Sequence, residues 1–225
     1  MNRYKLINFL NPIKSNLLLR LNYSTKNCWK CGVFQENTQN LFCPACKTIQ
    51  NPPKEANNDY FNLFNLNFKY DIDQKSLTQH YRKMQAVLHP DKFTNRSEDE
   101  KKISEEYSSL INKGYNTLQG PLSRALHMLW LKNEVIEESN KSDDPEFLME
   151  VMELNEELEE ADGEEKLRKI EAKNKEMLNN VSIMISKCFE ENDVEQAKKA
   201  IIKMKYYDSL SKRIHDLLRE KGILD

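Results

Sequence analysis

The 225-residue sequence predicts a mainly α protein: a small four-cysteine metal knuckle, a helical hairpin and an antiparallel three-helix bundle at the C-terminus. Three observations predict it. Only five Gly stand against 31% charged residues, and few alternating runs bounded by turn residues occur, as strands would require. From about residue 59 onward, apolar residues recur at steps of three and four, the period of amphipathic helices. Near the N-terminus, two CxxC pairs stand close together.

The formal net charge of −2 hides a segregation. From Met1 to Gln35 there is no acidic residue, whereas Arg3, Lys5, Lys14, Arg20, Lys26 and Lys30 are present. Residues 1–23 have the basic, acid-free make-up of a mitochondrial transit peptide, with Arg20 just before a cut at Tyr23. The expected compartment is therefore the mitochondrial matrix; a disordered basic tail is the bland alternative. Pro12, Lys14 and Arg20 interrupt any secretory-type apolar run, and no stretch approaches the ~18 apolar residues of a membrane span.

Residues 24–50 carry Cys28-Trp29-Lys30-Cys31 and Cys43-Pro44-Ala45-Cys46, with eleven residues between them. A two-residue spacing lets both thiolates of a knuckle face one ion, and Gly32 supplies the φ freedom of a tight turn. Four thiolates at Cys28, Cys31, Cys43 and Cys46 suit a structural, tetrahedral Zn²⁺ with no open position for catalysis. Iron uses the same ligand set. Disulfides do not suit a reducing matrix, and a thioredoxin-like site would need one CxxC on a βα unit. Cys188, alone in a helical stripe, is expected in the core. The Pro- and Asn-rich residues 51–58 are a linker.

A short apolar helix at Asp59-Tyr60-Phe61-Asn62-Leu63-Phe64 opens the next segment, 59–132. Leu77, Tyr81, Met84 and Leu88 then form one stripe, and Lys75, His80, Arg82 and Lys83 lie on its polar side. Pro90 ends that helix and moves His89 out of the α region. Ser97-Glu98-Asp99-Glu100 is a capping box, followed by Ile103, Tyr107, Leu110, Ile111 and Leu118. His89-Pro90-Asp91-Lys92 therefore sits at the tip of a helical hairpin. A general acid–base role for His89 and Asp91 has no nucleophile or carboxylate cluster beside it. The triplet, the basic preceding helix and the Asp-Tyr-Phe opening resemble the J-domain, by which co-chaperones stimulate ATP hydrolysis by DnaK-class chaperones.

Gly120-Pro121 starts a helix through Leu122, Ala125, Leu126 and Leu129, and residues 133–144 read as a polar linker. Residues 145–225 then form the bundle. Asp144-Pro145-Glu146 is a helix start. Leu167, Ile170, Met177, Val181, Ile185 and Cys188 make a second stripe; Val194, Ala197, Ile201, Met204, Tyr207, Ile214 and Leu218 make a third. The first helix has an apolar surplus. Phe147, Val151, Leu154, Leu158 and Ala161 share one face, while Leu148, Met149 and Met152 fall opposite, among Glu153, Glu156 and Glu160. Such a patch suits an apolar, basic-edged protein partner; a central helix packed on both faces is the alternative. Tyr206 lies off its own stripe and extends the same surface.

Phe147-Leu148-Met149-Glu150 with Glu153, Glu156 and Glu160, plus Lys205-Tyr206-Tyr207-Asp208, resembles the C-terminal domain of the HscB-type co-chaperones. With the hairpin and the cysteine module ahead of it, the resemblance covers the chain from about Cys28 onward and is nearest to the mitochondrial, eukaryotic form. It implies that the bundle binds an IscU-type iron–sulfur scaffold through Leu148, Met149, Met152, Glu153, Glu156, Glu160 and Tyr206. It implies chaperone contacts at His89, Pro90, Asp91 and Lys92, with Arg82 and Lys83, and cluster transfer to acceptors. Iron–sulfur recipient proteins are a further partner class that the sequence leaves open.

Two other function classes compete. One is a J-protein whose bundle grips unfolded or membrane-inserting chains, separable by its binding to denatured protein. The other is a nucleic-acid-binding metal ribbon, which would need a basic face that the module lacks after transit removal. Fourteen Asp or Glu against Lys141 alone, from Glu137 to Glu165, also oppose nucleic acid as a partner of that half. No phosphate-cradling Gly loop or nucleophile–base pair supports an enzyme.

Overall fold

The computed structural model describes residues 26–35, 40–52, 59–137 and 142–223. The transit segment 1–23 and most of the 51–58 linker lie outside them. The chain divides into two compact units, Met1–Gln50 and Asn51–Asp225. In the first, β1 (Lys26–Asn27) pairs antiparallel with β2 (Phe34–Gln35), and Phe42 bridges to Ile49. These short pairings hold two knuckles of matching backbone pattern. Cys28 N–H donates to Val33 O and Gly32 N–H to Cys28 O; likewise Cys43 N–H donates to Thr48 O and Lys47 N–H to Cys43 O. Gly32 sits at φ 71°, and Lys47, its counterpart, at φ 59°. Only the first knuckle has glycine where the left-handed turn favours it.

The second unit is built of helices and loops among its described residues. α1 (Tyr60–Leu63) is capped by Asp59, whose carboxylate accepts Asn62 N–H, and α2 (Gln74–Leu88) is capped by Asp73. α3 (Glu98–Gln119) starts at Ser97, whose Oγ accepts Glu100 N–H. α4 (Pro121–Leu131) and α5 (Pro145–Glu159) both place Pro in the first turn, where the missing N–H costs nothing. α6 (Glu164–Glu190) and α7 (Val194–Glu220) are 27 residues each and pack along their length.

α2 touches little besides α3, so its stripe is only half used: Leu77 and Leu88 are buried, Tyr81 and Met84 half-buried. Tyr81 instead stacks on Tyr115 with centroids 4.2 Å apart and donates to Asn112 Oδ1. α1 closes the far end of the hairpin by pressing onto Gly114 of α3. A Cβ there would lie 3.0 Å from Tyr60, 3.1 Å from Phe64 and 3.2 Å from Leu63. The glycine is required by the close approach of three side chains.

α4 joins hairpin to bundle, packing on both α3 and α7. Tyr70, in the loop before α2, is 2% exposed at this junction. The Arg124 guanidinium of α4 lies 4.8 Å from its ring centroid, and Phe189 of α6 stacks on it. Its hydroxyl accepts from Ser182 Oγ and points at Met204 Sδ of α7. The bundle core below holds Leu154, Leu158, Leu167, Ile185, Ala197, Ile201, Met204, Ile214 and Leu218, with Cys188 buried beside it.

Tyr60 stacks on His127 of α4 at 4.5 Å, and Tyr60 N–H donates to His127 Nε2. That bond needs a bare Nε2. Burial pushes the His127 pKa below its ordinary value, with Asp59 opposing weakly. The unfolded chain therefore takes up this proton first as pH falls. Stability from His127 is complete above the unfolded value near ~6.5 and is lost as pH falls from there through the folded value. The wild-type unfolding midpoint should drop across this window, and His127→Gln, which keeps an acceptor without the charge, should flatten the drop in urea titrations at stepped pH.

Candidate functional site

Three places carry chemistry: the hairpin tip, the outer face of α5 and the cysteine cluster. At the tip, His89 caps α2 in an extended conformation (φ −64°, ψ 135°), and Pro90–Phe93 form a 3-10 turn. The turn is anchored from beneath. Leu88 and Phe93 are buried, and Ser104 Oγ, itself buried, donates to Leu88 O at 2.8 Å. Lys92 N–H donates to His89 O, and Thr94 Oγ1 to Asp91 O. With its backbone held, the tip presents His89, Asp91 and Lys92 to solvent. His89 Nδ1 accepts Asp91 N–H at 3.3 Å and lies 3.5 Å from Asp91 Oδ2. Both contacts are made by the same nitrogen, so the imidazole faces Asp91. Arg82 and Lys83 are exposed on α2, about two turns back from the tip.

On α5, Asp144 both caps Phe147 N–H and receives Lys203 Nζ of α7 at 2.6 Å. The Lys203 hydrogen bond holds its carboxyl below the usual range. Phe147, Leu154 and Leu158 are buried against α6 and α7. Met149 and Met152 are each 63% exposed, which excludes a helix packed on both sides. Leu148 departs from the expectation of full exposure. It is half-buried at the border of the two faces, because it is rotated only ~100° from buried Phe147. Tyr206 of α7 lies edge-on to Phe147 at 5.5 Å and is half-buried. Glu157 and Glu159 pair with Lys173 and Arg213. Glu153, Glu156 and Glu160 are exposed and make no ion pair among the described residues.

In the cysteine cluster, all four Sγ atoms lie within 4.8 Å of one another. Cys28 and Cys46 are 3.6 Å apart, Cys31 and Cys43 3.7 Å. A tetrahedron with metal–sulfur bonds of about 2.3 Å has edges near 3.8 Å, so the cage fits one ion of that size. Backbone N–H groups of Lys30 and Cys31 point at Cys28, that of Val33 at Cys31 and that of Thr48 at Cys46. The Thr48 hydroxyl and amide bring the Cys46 thiol down to about 6. At Cys31 the Val33 amide is outweighed by burial and by three neighbouring sulfurs, which push it up to about 12. Four sulfurs this close cannot all ionise unless a cation neutralises them. The motif spacing located these ligands; Gln35, Thr48, Gln50 and Ser104 around the sites gave no sequence signal beyond loop and helix polarity.

An exposed turn on a helical hairpin, an apolar and acidic helix face, and a four-sulfur cage are the features the comparisons with known proteins have to match. Residues 143–215 match the family model described as the HSCB C-terminal oligomerisation domain. The chain is 36% identical over 210 residues to the iron–sulfur cluster co-chaperone protein HscB of Homo sapiens, covering 90% of this chain and 87% of that one. It is 36% identical over 191 residues to the HscB homolog of Arabidopsis thaliana, covering 85% and 74%. The crystal structure of human co-chaperone protein HscB superposes with a TM-score of 0.78 at 36% identity, over 84% of this chain and 97% of that chain. The chain belongs to the HscB family of iron–sulfur cluster co-chaperones.

Truncating the two faces of α5 should separate them energetically. Met149→Ala with Met152→Ala should leave the unfolding midpoint within the error of surface changes, about 0.5 kcal/mol. Leu154→Ala, from the buried face, should cost roughly 2–5 kcal/mol in urea unfolding.

Proposed function

We propose that this protein recruits a DnaK-class chaperone to an IscU-type iron–sulfur scaffold in the mitochondrial matrix. The observation that carries this is the pairing, on one helical unit, of a rigidly anchored, solvent-facing His-Pro-Asp turn with an exposed apolar and acidic helix face. The hairpin is a J-domain. His89, Pro90, Asp91 and Lys92, with Arg82 and Lys83, contact the chaperone and stimulate its ATP hydrolysis. Leu148, Met149 and Met152 are the apolar anchors for the scaffold, and Tyr206 extends that patch. Glu153, Glu156 and Glu160 are unpaired rim carboxylates that steer a basic-edged partner. The chaperone's ATP cycle then drives cluster transfer to recipient proteins, and the chain itself catalyses no step.

The cysteine cage holds one structural Zn²⁺. Four soft thiolates in a tetrahedron suit zinc or iron, and a closed cage with no labile position suits a folding role. Residues 1–23 address the chain to the matrix. No helix among the described residues is long and apolar enough to cross a membrane.

In a single-turnover assay with scaffold and chaperone, His89→Gln should abolish ATPase stimulation and leave scaffold affinity unchanged. Full stimulation by that variant would refute the J-domain assignment. Truncating Leu148, Met149 and Met152 together to Ala should weaken scaffold binding at least tenfold by calorimetry. Glu153, Glu156 and Glu160 changed to Gln should mainly slow association and flatten its salt dependence.

A further inference from the structure

The cysteine cage is wrapped by buried polar side chains that the four ligands alone do not explain. Gln35 and Gln50 are 5% and 7% exposed, in a unit with little apolar interior to spare. Gln35 Nε2 donates to Gln50 Oε1 at 2.9 Å. Gln50 Nε2 in turn lies 3.5 Å from Cys28 Sγ, 2.8 Å from Thr48 O and 3.2 Å from Ile49 O. The amide orientation is dictated by its surroundings. Turned over, Gln50 would aim an oxygen at two carbonyls and a sulfur, all acceptors. On the second knuckle, Thr48 Oγ1 lies 3.3 Å from Cys46 Sγ, and Thr48 is buried. A thiolate can only accept, so in the ionised cage the hydroxyl proton turns to sulfur.

Four thiolates around a divalent cation leave a net charge of −2. In a partly buried setting that charge is costly unless donors spread it. Backbone amides supply some donors, as in any knuckle. The side-chain donors are additional and unevenly placed: among the described residues Cys28 meets Gln50 and Cys46 meets Thr48, and Gln35 donates to Gln50. Outer ligand partners of this kind typically govern metal affinity by 10–100-fold.

We propose that Gln50, clamped by Gln35, and Thr48 are positioning residues for the bound ion, donating to Cys28 and Cys46 so that the cage retains its metal against competing thiols and chelators. This rests on the assignment of the four cysteines as a metal site. Their role is retention. Without them the same four ligands would still close on the ion but release it faster.

The full chain from Ser24 should be loaded with Zn²⁺ or Co²⁺, assayed for metal by mass spectrometry, and challenged with a chromophoric chelator. Wild type should carry one ion per chain. Gln50→Met and Thr48→Val, near in shape to the native residues, should keep the tetrahedral cobalt bands yet lose Zn²⁺ at least tenfold faster. Their sulfur-to-cobalt charge-transfer band should move to lower energy, because an undonated thiolate is easier to oxidise. Thr48→Ser should restore retention, which a merely steric role for Thr48 would not require. Should Gln50→Met fail to form the cage at all, Gln35→Met, which removes only the clamp, decides by the same release rate. Release within twofold of wild type for Gln35→Met and Thr48→Val, with an unmoved charge-transfer band, would overturn the proposal while leaving the metal site standing. Absence of metal from the wild type would instead overturn the metal site itself, and this inference with it.

Discussion

The helical unit depends on the seat of Tyr70. That ring comes from a loop, yet it touches α4, α6 and α7 at once. A buried aromatic of this size typically removes 150–250 Å² from water, and its loss from a core costs roughly 3–5 kcal/mol. Arg124 makes the junction more than an apolar contact. Its guanidinium covers the ring and donates to Leu118 O at 2.6 Å, and its burial pulls its pKa below the ordinary value. A cation is taken out of water here to tie the end of α3, the start of α4 and the loop before α2 into one knot. Burial of such a charge is weak evidence for stability and better explained by the geometry it fixes. The knot adds to the buried Ala125, Met128 and Leu129 of α4 in holding the hairpin on the bundle.

Charge is distributed so that the exposed faces of α2 and α5 differ in sign. α2 presents Lys75, Arg82 and Lys83, and the tip adds Lys92, all exposed. α5 presents unpaired carboxylates around its methionines. Where the acids at the start and inner edges of α5 meet the bundle, Asp144, Glu157 and Glu159 pair with Lys203, Lys173 and Arg213, and Glu150 accepts from the Tyr207 hydroxyl. The acidity is thus reserved for the outer face, and the bundle does not suffer from the run of like charge between Glu137 and Glu165.

Much of this was legible in the sequence, for local physical reasons. Pro90, the Ser97 and Asp144 caps and the CxxC spacings each fix structure within a few residues, and each is found where the pattern put it. The bundle stripes were legible because 27-residue helices repeat their signal many times. What escaped was set by partners far apart in the chain. Tyr70 has no periodic neighbours, and it meets Met204 across 134 positions. Gly114 reads as a weak point in a helix until three side chains of α1 and its C-cap are seen to lie on it. Leu148 shows the limit of a helical wheel: angle alone places it, while the width of the neighbouring helices decides how far it is covered. Gln35 and Gln50 gave no signal because they meet each other and Cys28 across 15 and 22 positions of chain.

The paired long helices have a mechanical consequence. α6 and α7, at 27 residues, are each about 40 Å long, whereas α5 has 15 residues. α5 is tied along the middle of α7, from Lys203 to Arg213, and the end of α4 lies by its start, where Lys132 reaches Asn192 and Glu134 reaches Lys198. The long pair is therefore a shared spar on which the two attachments meet, because Tyr70 reaches Met204 beside the Lys203 tie of α5. The hairpin side, through α4 and Tyr70, and α5 are thus braced on the same two helices. A turn inserted in α7 between Lys198 and Lys203 would carry the Tyr70 seat and the α5 ties about 5.4 Å away from the end of α4, so neither attachment can shift alone.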